Sequence, residues 1–283
     1  MNIEKLISEL LNINKSTKDN AIETFKNDSP EMRSAICSEM VKKLSDKARR
    51  MGYELLKYCD LQSDFRLLID KWTEESRDNQ AFILLTINHL LKKTKQIEIE
   101  HKEKLLQLLE EGLNSTDPFI AGYSAEALAE ITGIIPLEIA ESLFLRGEFW
   151  LSEKIIEILK NKNILYQKDN EKIIKTVLSA FTLNELNGRF LLKAAGYLLS
   201  LDDITLNQTE FNLLLSAFKQ LDELLLDEFQ LKNVLLFLSR LKTPNNEELK
   251  RRIYFINSLT KNHNIKVICS AVLEKIGYPA QNF

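Results

Sequence analysis

Apolar residues recur at intervals of three and four along almost the whole chain. The clearest stripe lies between Asp117 and Gly133, and its members are Ile120, Ser124, Ala127, Leu128 and Ile131. This spacing places them on one face of a 3.6-residue helix. Asp117 is a preferred N-cap residue, Pro118 suits the first helical position, and Gly133 suits the end of a helix. The segment therefore predicts a helix with one buried face.

The same stripe can be placed at seven positions along the chain. Their first residues are Ala48, Ile83, Ile120, Ile155, Leu191, Leu231 and Ile265, so successive stripes begin 34 to 40 residues apart. Each stripe would be the second helix of a pair, and Ser29-Pro30-Glu31 and Asn207-x-x-Glu210 are capping patterns that open first helices. A repeat of about 36 residues with two helices is typical of an α-solenoid. We therefore predict an all-α fold, an α-α superhelix of about seven helical hairpins.

The predicted repeats occupy residues 29–283, and two short helical patterns in residues 1–28 precede them as an N-terminal cap. We expect one solenoid domain over residues 1–283. The residue four positions after the start of the stripe is small in four repeats. These residues are Gly52, Ser124, Ala195 and Cys269. Because small residues let helix backbones approach, we expect close contacts between neighbouring repeats at these positions.

Composition supports helices joined by short links. The chain has only 8 Gly and 5 Pro residues and no clear run of strict apolar and polar alternation. Its 45% of hydrophobic residues can form a substantial core. The formal net charge of −3 gives no general attraction to nucleic acid or to an anionic membrane. Every stretch long enough to cross a bilayer contains charged residues, so we predict no membrane span.

The three cysteines, Cys37, Cys59 and Cys269, lie in helical patterns without CxxC spacing. Their odd number and their spacing argue against a disulfide framework and against a zinc site. Glu4 and Glu9 interrupt the first apolar stretch, which argues against a secretory signal. We therefore expect a reduced protein with a cytoplasmic location.

The stripe at residues 117–133 carries a family resemblance. Asp117-Pro118-x-Ile120 followed by Ala127-Leu128-x-x-Ile131-x-Gly133 resembles the second-helix signature of HEAT repeats, in the HEAT-repeat and armadillo-like α-solenoid family. The repeat length is also similar. The resemblance implies a curved stack of helix pairs that holds partners on its concave surface.

Groups that could carry out catalysis are isolated in the sequence. Residues 122–126 contain a serine but lack the final glycine of a nucleophile elbow. The acidic pairs Glu110-Glu111 and Asp202-Asp203 diverge by about 100° on a helix, so neither pair can act on one substrate atom. The three histidines fall in separate repeats and are His89, His101 and His263. With no glycine-rich phosphate motif either, we predict no catalytic residue, no cofactor and no bound metal.

The predicted partner-binding residues lie on the helix face opposite the stripe. Counting two, six and nine residues from the start of each stripe gives a ridge with an excess of basic side chains, and we expect it to face a protein or peptide partner, possibly an acidic one. The candidate binding residues are Arg50, Lys57, His89, Lys92, Lys193, Tyr197, Phe237 and Arg240. Tyr197 and Phe237 are predicted to be exposed aromatic side chains, which often contribute most to recognition.

Two functions follow from these observations. The first is a non-enzymatic scaffold for protein–protein interaction that binds its partner on the concave face. The alternative is a nucleic-acid-binding enzyme resembling the HEAT-like alkylpurine DNA glycosylases, for which Phe65-Arg66 and Asp70-Lys71-Trp72 would supply the aromatic and carboxylate groups. The net charge favours the scaffold, because a DNA-binding groove needs a broad basic stripe. The oligomeric state does not follow from the sequence.

Overall fold

The computed structural model describes residues 3–43, 45–59, 62–93, 99–162, 170–179, 187–199, 206–220, 227–240 and 247–276. Within those ranges the chain forms sixteen α-helices and one short 3₁₀ helix, and no strand. The all-α solenoid prediction is therefore confirmed. Contacts divide the chain into an N-terminal unit, Met1–Gly133, and a C-terminal unit, Ile134–Phe283. The expectation of a single domain stays a prediction.

The N-terminal unit is a row of helical hairpins. Its helices are α1 (Ile3–Leu10), α2 (Lys15–Lys26), α3 (Pro30–Val41), α4 (Asp46–Leu56), α5 (Gln62–Lys71), α6 (Arg77–Lys93), α7 (Ile99–Leu113) and α8 (Pro118–Thr132), with the 3₁₀ turn Trp72–Glu74 after α5. The second helices pack in sequence, α4 on α6 and α6 on α8, while α5 packs on α7. The paired helices α3 and α4, α5 and α6, and α7 and α8 also contact each other, and α1 packs on α2 and α3.

The C-terminal unit repeats this arrangement. Its helices are α9 (Leu137–Phe144), α10 (Phe149–Lys162), α11 (Asn170–Ser179), α12 (Asn187–Leu198), α13 (Gln208–Lys219), α14 (Glu228–Arg240), α15 (Glu247–Leu259) and α16 (His263–Lys275). One row is α10, α12, α14 and α16, and the other is α9, α11 and α13. Contacts of α9 with α10, α12 with α13, and α15 with α16 join the two rows.

The predicted caps are present where the structure describes them. The Asp117 side chain accepts hydrogen bonds from the backbone N–H groups of Phe119 (2.8 Å) and Ile120 (3.2 Å). Gly133 ends α8 with a φ of 80°, in the left-handed region that favours glycine. At the start of α13, Asn207 and Glu210 form the reciprocal capping box that their spacing predicts.

All seven predicted stripes face the core. Their first residues are at most 2% exposed, and they are Ala48, Ile83, Ile120, Ile155, Leu191, Leu231 and Ile265. Ile155 and Leu231, where the pattern is weaker and the spacing helps to position the stripe, are buried like the others. The period of about 36 residues therefore located the second helix of every repeat.

The small residues in the stripes have a different role from the predicted one. A Cβ atom added to Gly52 on α4 would lie 3.0 to 3.2 Å from atoms of Val41, Met40 and Cys37, all on α3. The close approach is thus within a hairpin and not between neighbouring repeats. The same holds for α7 and α8, where a Cβ on Gly112 would lie 2.1 Å from the Ser124 hydroxyl oxygen. Gly52 and Ser124, each four residues after the start of its stripe, therefore face the first helix of their own pair.

Basic residues at helix ends tie three second helices, α6, α14 and α16, to the one before. The Lys93 ammonium at the end of α6 donates to the carbonyl oxygen of Lys57 (2.6 Å), the C-cap residue of α4. In the C-terminal unit, the Arg240 guanidinium donates to the Leu199 carbonyl (2.7 Å), and the Lys275 ammonium donates to the Ser239 carbonyl. Terminal carbonyls of a helix lack partners within it, so each of these cations completes the preceding repeat.

Candidate functional site

The structure divides the predicted ridge between the two units. Arg50 and Lys57 lie on α4, and His89 and Lys92 lie on α6 of the N-terminal unit, where all four side chains are exposed or half-buried. The other four lie in the C-terminal unit, with Lys193 and Tyr197 on α12 and Phe237 and Arg240 on α14. Lys193 and Arg240 are exposed.

The predicted exposure of Tyr197 and Phe237 is wrong. Tyr197 is 5% exposed and Phe237 is 0% exposed. In α12 and α14 the buried arc is therefore wider than one stripe. Burial also raises the pKa of the Tyr197 hydroxyl to about 12.

In the N-terminal unit, α4, α6 and α8 present side chains on one continuous side, which we call the α4–α6–α8 face. Its members are Arg50, Glu54 and Lys57 of α4, Phe82, Leu85, His89 and Lys92 of α6, and Phe119, Tyr123 and Glu126 of α8. The ridge prediction placed Gly122 and Ala129 here, but both are buried.

Buried polar bonds hold this face in place. The Thr86 hydroxyl on α6 donates to the Tyr53 carbonyl of α4 (2.8 Å), and the Asn88 amide on α6 donates to the Tyr123 carbonyl of α8 (3.0 Å). Both donor residues are 2% exposed. Such bonds from side chain to backbone, shielded from water, fix how the helices sit against each other.

Glu75, which follows the 3₁₀ turn, organises the junction of α4 and α6. It pairs with the Arg49 guanidinium (2.9 Å), and it accepts hydrogen bonds from the Tyr53 hydroxyl (2.8 Å) and the Asn79 amide (2.6 Å). Burial, and then the hydrogen bond to Glu75, raise the pKa of Tyr53 well above its usual value. Tyr53 therefore stays a neutral hydrogen-bond donor.

An apolar cleft lies between α6 and α8 on this face. It has a volume of about 120 Å³. Its lining residues are Ala81, Phe82, Leu85, Phe119 and Tyr123. Phe119 is 46% exposed, which is high for a large aromatic side chain. Three aromatic rings around a small cleft form the kind of surface that accepts an apolar side chain from a partner.

A larger groove of about 410 Å³ lies on the other side of Phe82. Its apolar lining residues are Leu10, Leu11, Met51 and Phe82, and its charged ones are Lys18, Asp46, Lys47, Arg50 and Glu54. Arg50 is held by Asn79 (2.8 Å) and Asp78 (3.0 Å), and its guanidinium lies 5.7 Å from the centre of the Phe82 ring. Phe82 is thus a wall common to the groove and the cleft.

Basic side chains gather at the end of the face where α4 and α6 terminate. Lys57, Lys92 and Lys93 surround His89, and burial together with these neighbouring charges lowers the pKa of the imidazole, while Glu126 acts in the opposite direction. Lys92 pairs with Glu126 at 2.9 Å. Three ammonium groups and one carboxylate thus act on the His89 imidazole.

In the C-terminal unit, Lys193 lines a groove of about 290 Å³ between α10 and α12. The other lining residues are Trp150, Glu153, Lys154, Ile156, Glu157 and Lys160. Lys193 lies 3.7 Å from Glu153, and Lys154 lies 3.6 Å from Glu157. Both lysines are thus paired with carboxylates, as Lys92 is with Glu126 on the α4–α6–α8 face.

The residues that suggested a DNA glycosylase do not form a groove. Phe65 is 1% exposed and Trp72 is 6% exposed, and the indole N–H of Trp72 donates to Glu111 (3.1 Å). Asp70 pairs with Arg66 on the surface at 3.6 Å. Both aromatic side chains are therefore core residues, and the expectation that they line a DNA-binding site is wrong.

The other candidate groups in the part of the chain that the structure describes are a serine, possible metal ligands and the three cysteines. Ser124 is fully buried inside α8. No group of three or more His, Cys, Asp or Glu side chains could hold a metal ion there. Cys37, Cys59 and Cys269 are free thiols and buried. Among the described helices, none combines the length and apolarity that crossing a bilayer requires. Asp202 and Asp203 lie outside the described residues.

Fold and site together define an all-α repeat protein with one aromatic and basic face. No family model matches the chain, so the HEAT-repeat signature at residues 117–133 stays a resemblance. No curated protein matches it either.

Solved structures give low scores. An engineered protein, a structural-genomics target, is 12% identical over 98% of this chain and 96% of its own, with a TM-score of 0.33. A structure concerning a phosphorylation switch between cadherin and β-catenin is 13% identical over 98% of this chain and 52% of its own (TM-score 0.37). A designed armadillo repeat protein is 12% identical over 97% of this chain and 100% of its own (TM-score 0.22). Such low similarity carries no information about the function of this chain.

Proposed function

We propose that this chain is a non-enzymatic scaffold that binds a protein partner through the α4–α6–α8 face. The observation that carries the proposal is the aromatic cleft of Phe82, Leu85, Phe119 and Tyr123 on an exposed side of the N-terminal unit. A chain with 28% charged residues that still exposes clustered aromatic groups commonly does so at an interaction site.

The basic end of the face defines the preferred charge of the partner. Lys92 and Lys93 lie about two helical turns beyond Leu85 on α6, and Lys57 lies close enough to His89 to lower the pKa of its imidazole. An apolar side chain in the cleft would therefore place neighbouring carboxylates near three ammonium groups. Complementary charge raises the association rate and selects among partners, while the apolar anchor supplies most of the affinity. We propose an acidic protein segment as the partner.

The rigidity of the α4–α6–α8 face also supports its proposed role in binding. The bonds from Thr86 and Asn88 fix α4, α6 and α8 before a partner arrives. A preorganised face loses little conformational entropy on binding, which increases affinity for the same contact area. The three buried thiols suit a reducing compartment, and we propose the cytoplasm as the location.

Leu85→Lys tests this proposal. A lysine there fills the cleft with a charged chain, and we expect partner affinity to fall roughly tenfold or more, as loss of a central anchor usually costs at least this much. The measurement is quantitative mass spectrometry of proteins recovered from cells that naturally make this chain. Leu145→Lys is the matched control, because Leu145 is 52% exposed and lies in the C-terminal unit.

The expected result is a set of proteins that wild type and Leu145→Lys retain and that Leu85→Lys loses. Recovery of the same proteins with all three versions would contradict the proposal. Thermal melting of both variants checks that each is folded, so that a lost partner reflects the cleft and not a lost fold.

A separate prediction concerns the binding of duplex DNA. With a net charge of −3 and the Phe65 and Trp72 rings in the core, we expect no binding of duplex DNA even at low salt. Fluorescence anisotropy of a labelled duplex measures this. Tight binding that weakens steeply with added salt would instead indicate a nucleic-acid function.

A further inference from the structure

Phe229 is the most exposed aromatic side chain in the described part of the chain. It lies on the first turn of α14, in the C-terminal unit, and is 73% exposed. Aromatic side chains of this size are seldom left so open to water, and such exposure commonly marks a contact surface. The C-terminal unit therefore offers an apolar anchor that the α4–α6–α8 face does not contain.

Hydrogen bonds hold the start of α14, and with it the Phe229 ring, in place. The Asp227 side chain acts as the N-cap and accepts a hydrogen bond from the backbone N–H of Gln230 (3.1 Å). The Glu228 carboxylate accepts a hydrogen bond from the Asn262 amide (2.7 Å), which ties α14 to the start of α16. Because this helix start is fixed at two points, it loses little conformational freedom when it binds.

Two exposed carboxylates, those of Asp227 and Glu228, directly precede the ring. Lys232, about one turn further along α14, offsets part of their charge. The other exposed large apolar side chains of the described residues do not follow such a pair, and they are Ile13, Phe119, Leu145, Phe255, Leu259 and Val267. Phe229 is therefore an apolar group with acidic neighbours.

The α4–α6–α8 face has the complementary chemistry. Its cleft of about 120 Å³ has the size of one large apolar side chain, and three aromatic rings line it. Lys57, Lys92 and Lys93 supply positive charge at the basic end of the face, and Glu126 offsets part of it. Aromatic rings pack favourably edge to face, so a phenylalanine ring suits this cleft. The start of α14 thus has both features that the proposed function assigns to a partner, an apolar anchor and nearby carboxylates.

We propose that the partner of the α4–α6–α8 face is a second copy of this chain, whose Phe229 ring enters the aromatic cleft. The carboxylates of Asp227 and Glu228 then lie toward the basic end of the face. This inference rests on the proposed function of the face and specifies its partner. Because the two contacting surfaces differ, the contact is heterologous, and it gives either a closed ring of copies or an open chain.

Two single variants and their mixture test this contact. Phe229→Lys removes the ring but keeps the cleft, and Leu85→Lys fills the cleft but keeps the ring. Analytical ultracentrifugation of the full chain over a range of concentrations measures self-association. We expect wild type to associate as concentration rises, and each variant alone to associate at least roughly tenfold more weakly. An equimolar mixture of the two variants should form a 1:1 complex, because one ring and one cleft remain intact.

Phe255→Lys is the matched control for the ring. Phe255 is 42% exposed in the same unit, but it has the Arg252 guanidinium 5.3 Å from its ring centre in place of neighbouring carboxylates. This variant should associate like wild type. Thermal melting shows whether each variant is folded. If Leu85→Lys proves unstable, Phe119→Ala changes the cleft from an exposed position and replaces it in the mixture.

Charge reversal tests the acidic neighbours of the ring. Glu228→Lys should weaken self-association several-fold, because it places a cation toward the lysines of the other copy. Lys232→Glu is the opposite change on the same helix, and it should strengthen association. Added salt should weaken the association of wild type, since exposed charges are screened.

The outcomes separate this inference from the proposed function. A wild type that stays monomeric up to about 1 mM, association that survives in both single variants, or a mixture that does not restore binding overturns the inference. If the chain is monomeric but Leu85→Lys still loses cellular partners, the inference fails while the scaffold function stands. If ring and cleft join two copies but Leu85→Lys loses no other cellular partner, the inference stands and a partner other than a second copy is ruled out.

Discussion

Phe237→Ala is expected to lower the free energy of unfolding by about 3–5 kcal/mol, the usual range for removing a fully buried phenylalanine. The Phe237 side chain is 0% exposed and packs where α14 meets its neighbours in the row. Truncation removes apolar burial and leaves a cavity that the helices on both sides can fill only in part. Urea unfolding monitored by circular dichroism gives the free energy.

Phe229→Ala is the matched control for this experiment. Phe229 lies on the same helix, α14, but it is 73% exposed, so its removal should change stability by less than about 0.5 kcal/mol. A small effect for both variants would mean that Phe237 is a surface residue, as the ridge prediction assumed. A large effect at Phe237 alone identifies it as a core residue.

Gly112→Ala is expected to destabilise the chain by about 1–3 kcal/mol, although alanine normally favours helices. A Cβ there would lie 2.1 Å from the Ser124 hydroxyl oxygen and 3.1 Å from the Ser124 Cβ, so the hydroxyl would have to rotate away and the tight contact between the two Cβ atoms would remain. Gly196→Ala is the control, because its nearest contact is the Asn233 amide nitrogen at 3.5 Å. That variant should be more stable by about 0.5–1 kcal/mol.

A double variant identifies the cause. The Ser124 hydroxyl is buried without a hydrogen-bond partner, so Ser124→Ala alone should be close to neutral. In Gly112→Ala/Ser124→Ala the shortest contact is gone, and we expect part of the lost stability to return. If the two changes are simply additive in thermal and urea unfolding, the clash with Ser124 is not what destabilises Gly112→Ala.

The sequence predicted the repeating helices because the spacing of apolar residues within each helix is a local pattern. Ile155 and Leu231 were positioned partly from the spacing, and both are buried. Caps were equally readable, since Asp117 and Asn207 bond to residues two or three positions away. Information of this kind lies within one turn of helix and does not depend on which helix packs beside it.

The site was less predictable because its members depend on neighbouring helices. Tyr197 and Phe237 have the same spacing from their stripes as His89, yet they are buried while His89 is exposed. How wide an arc each helix buries is decided by contacts between repeats, which one helix's periodicity does not contain. The groove beside Phe82 likewise joins Leu10 and Met51 from distant parts of the chain. Arg50, Lys57, His89 and Lys92 could be selected from spacing, whereas Phe82, Phe119 and Tyr123 could not.

Lysine and arginine side chains form hydrogen bonds between successive second helices, and these bonds constrain how repeats can be added to or lost from such a chain. Lys93, Arg240 and Lys275 each satisfy a carbonyl of the preceding repeat. An inserted repeat that carries its own terminal cation would leave no carbonyl open at either junction. Deletion of half a repeat would instead strip a donor from the helix upstream, so gain and loss of sequence should proceed in whole hairpins.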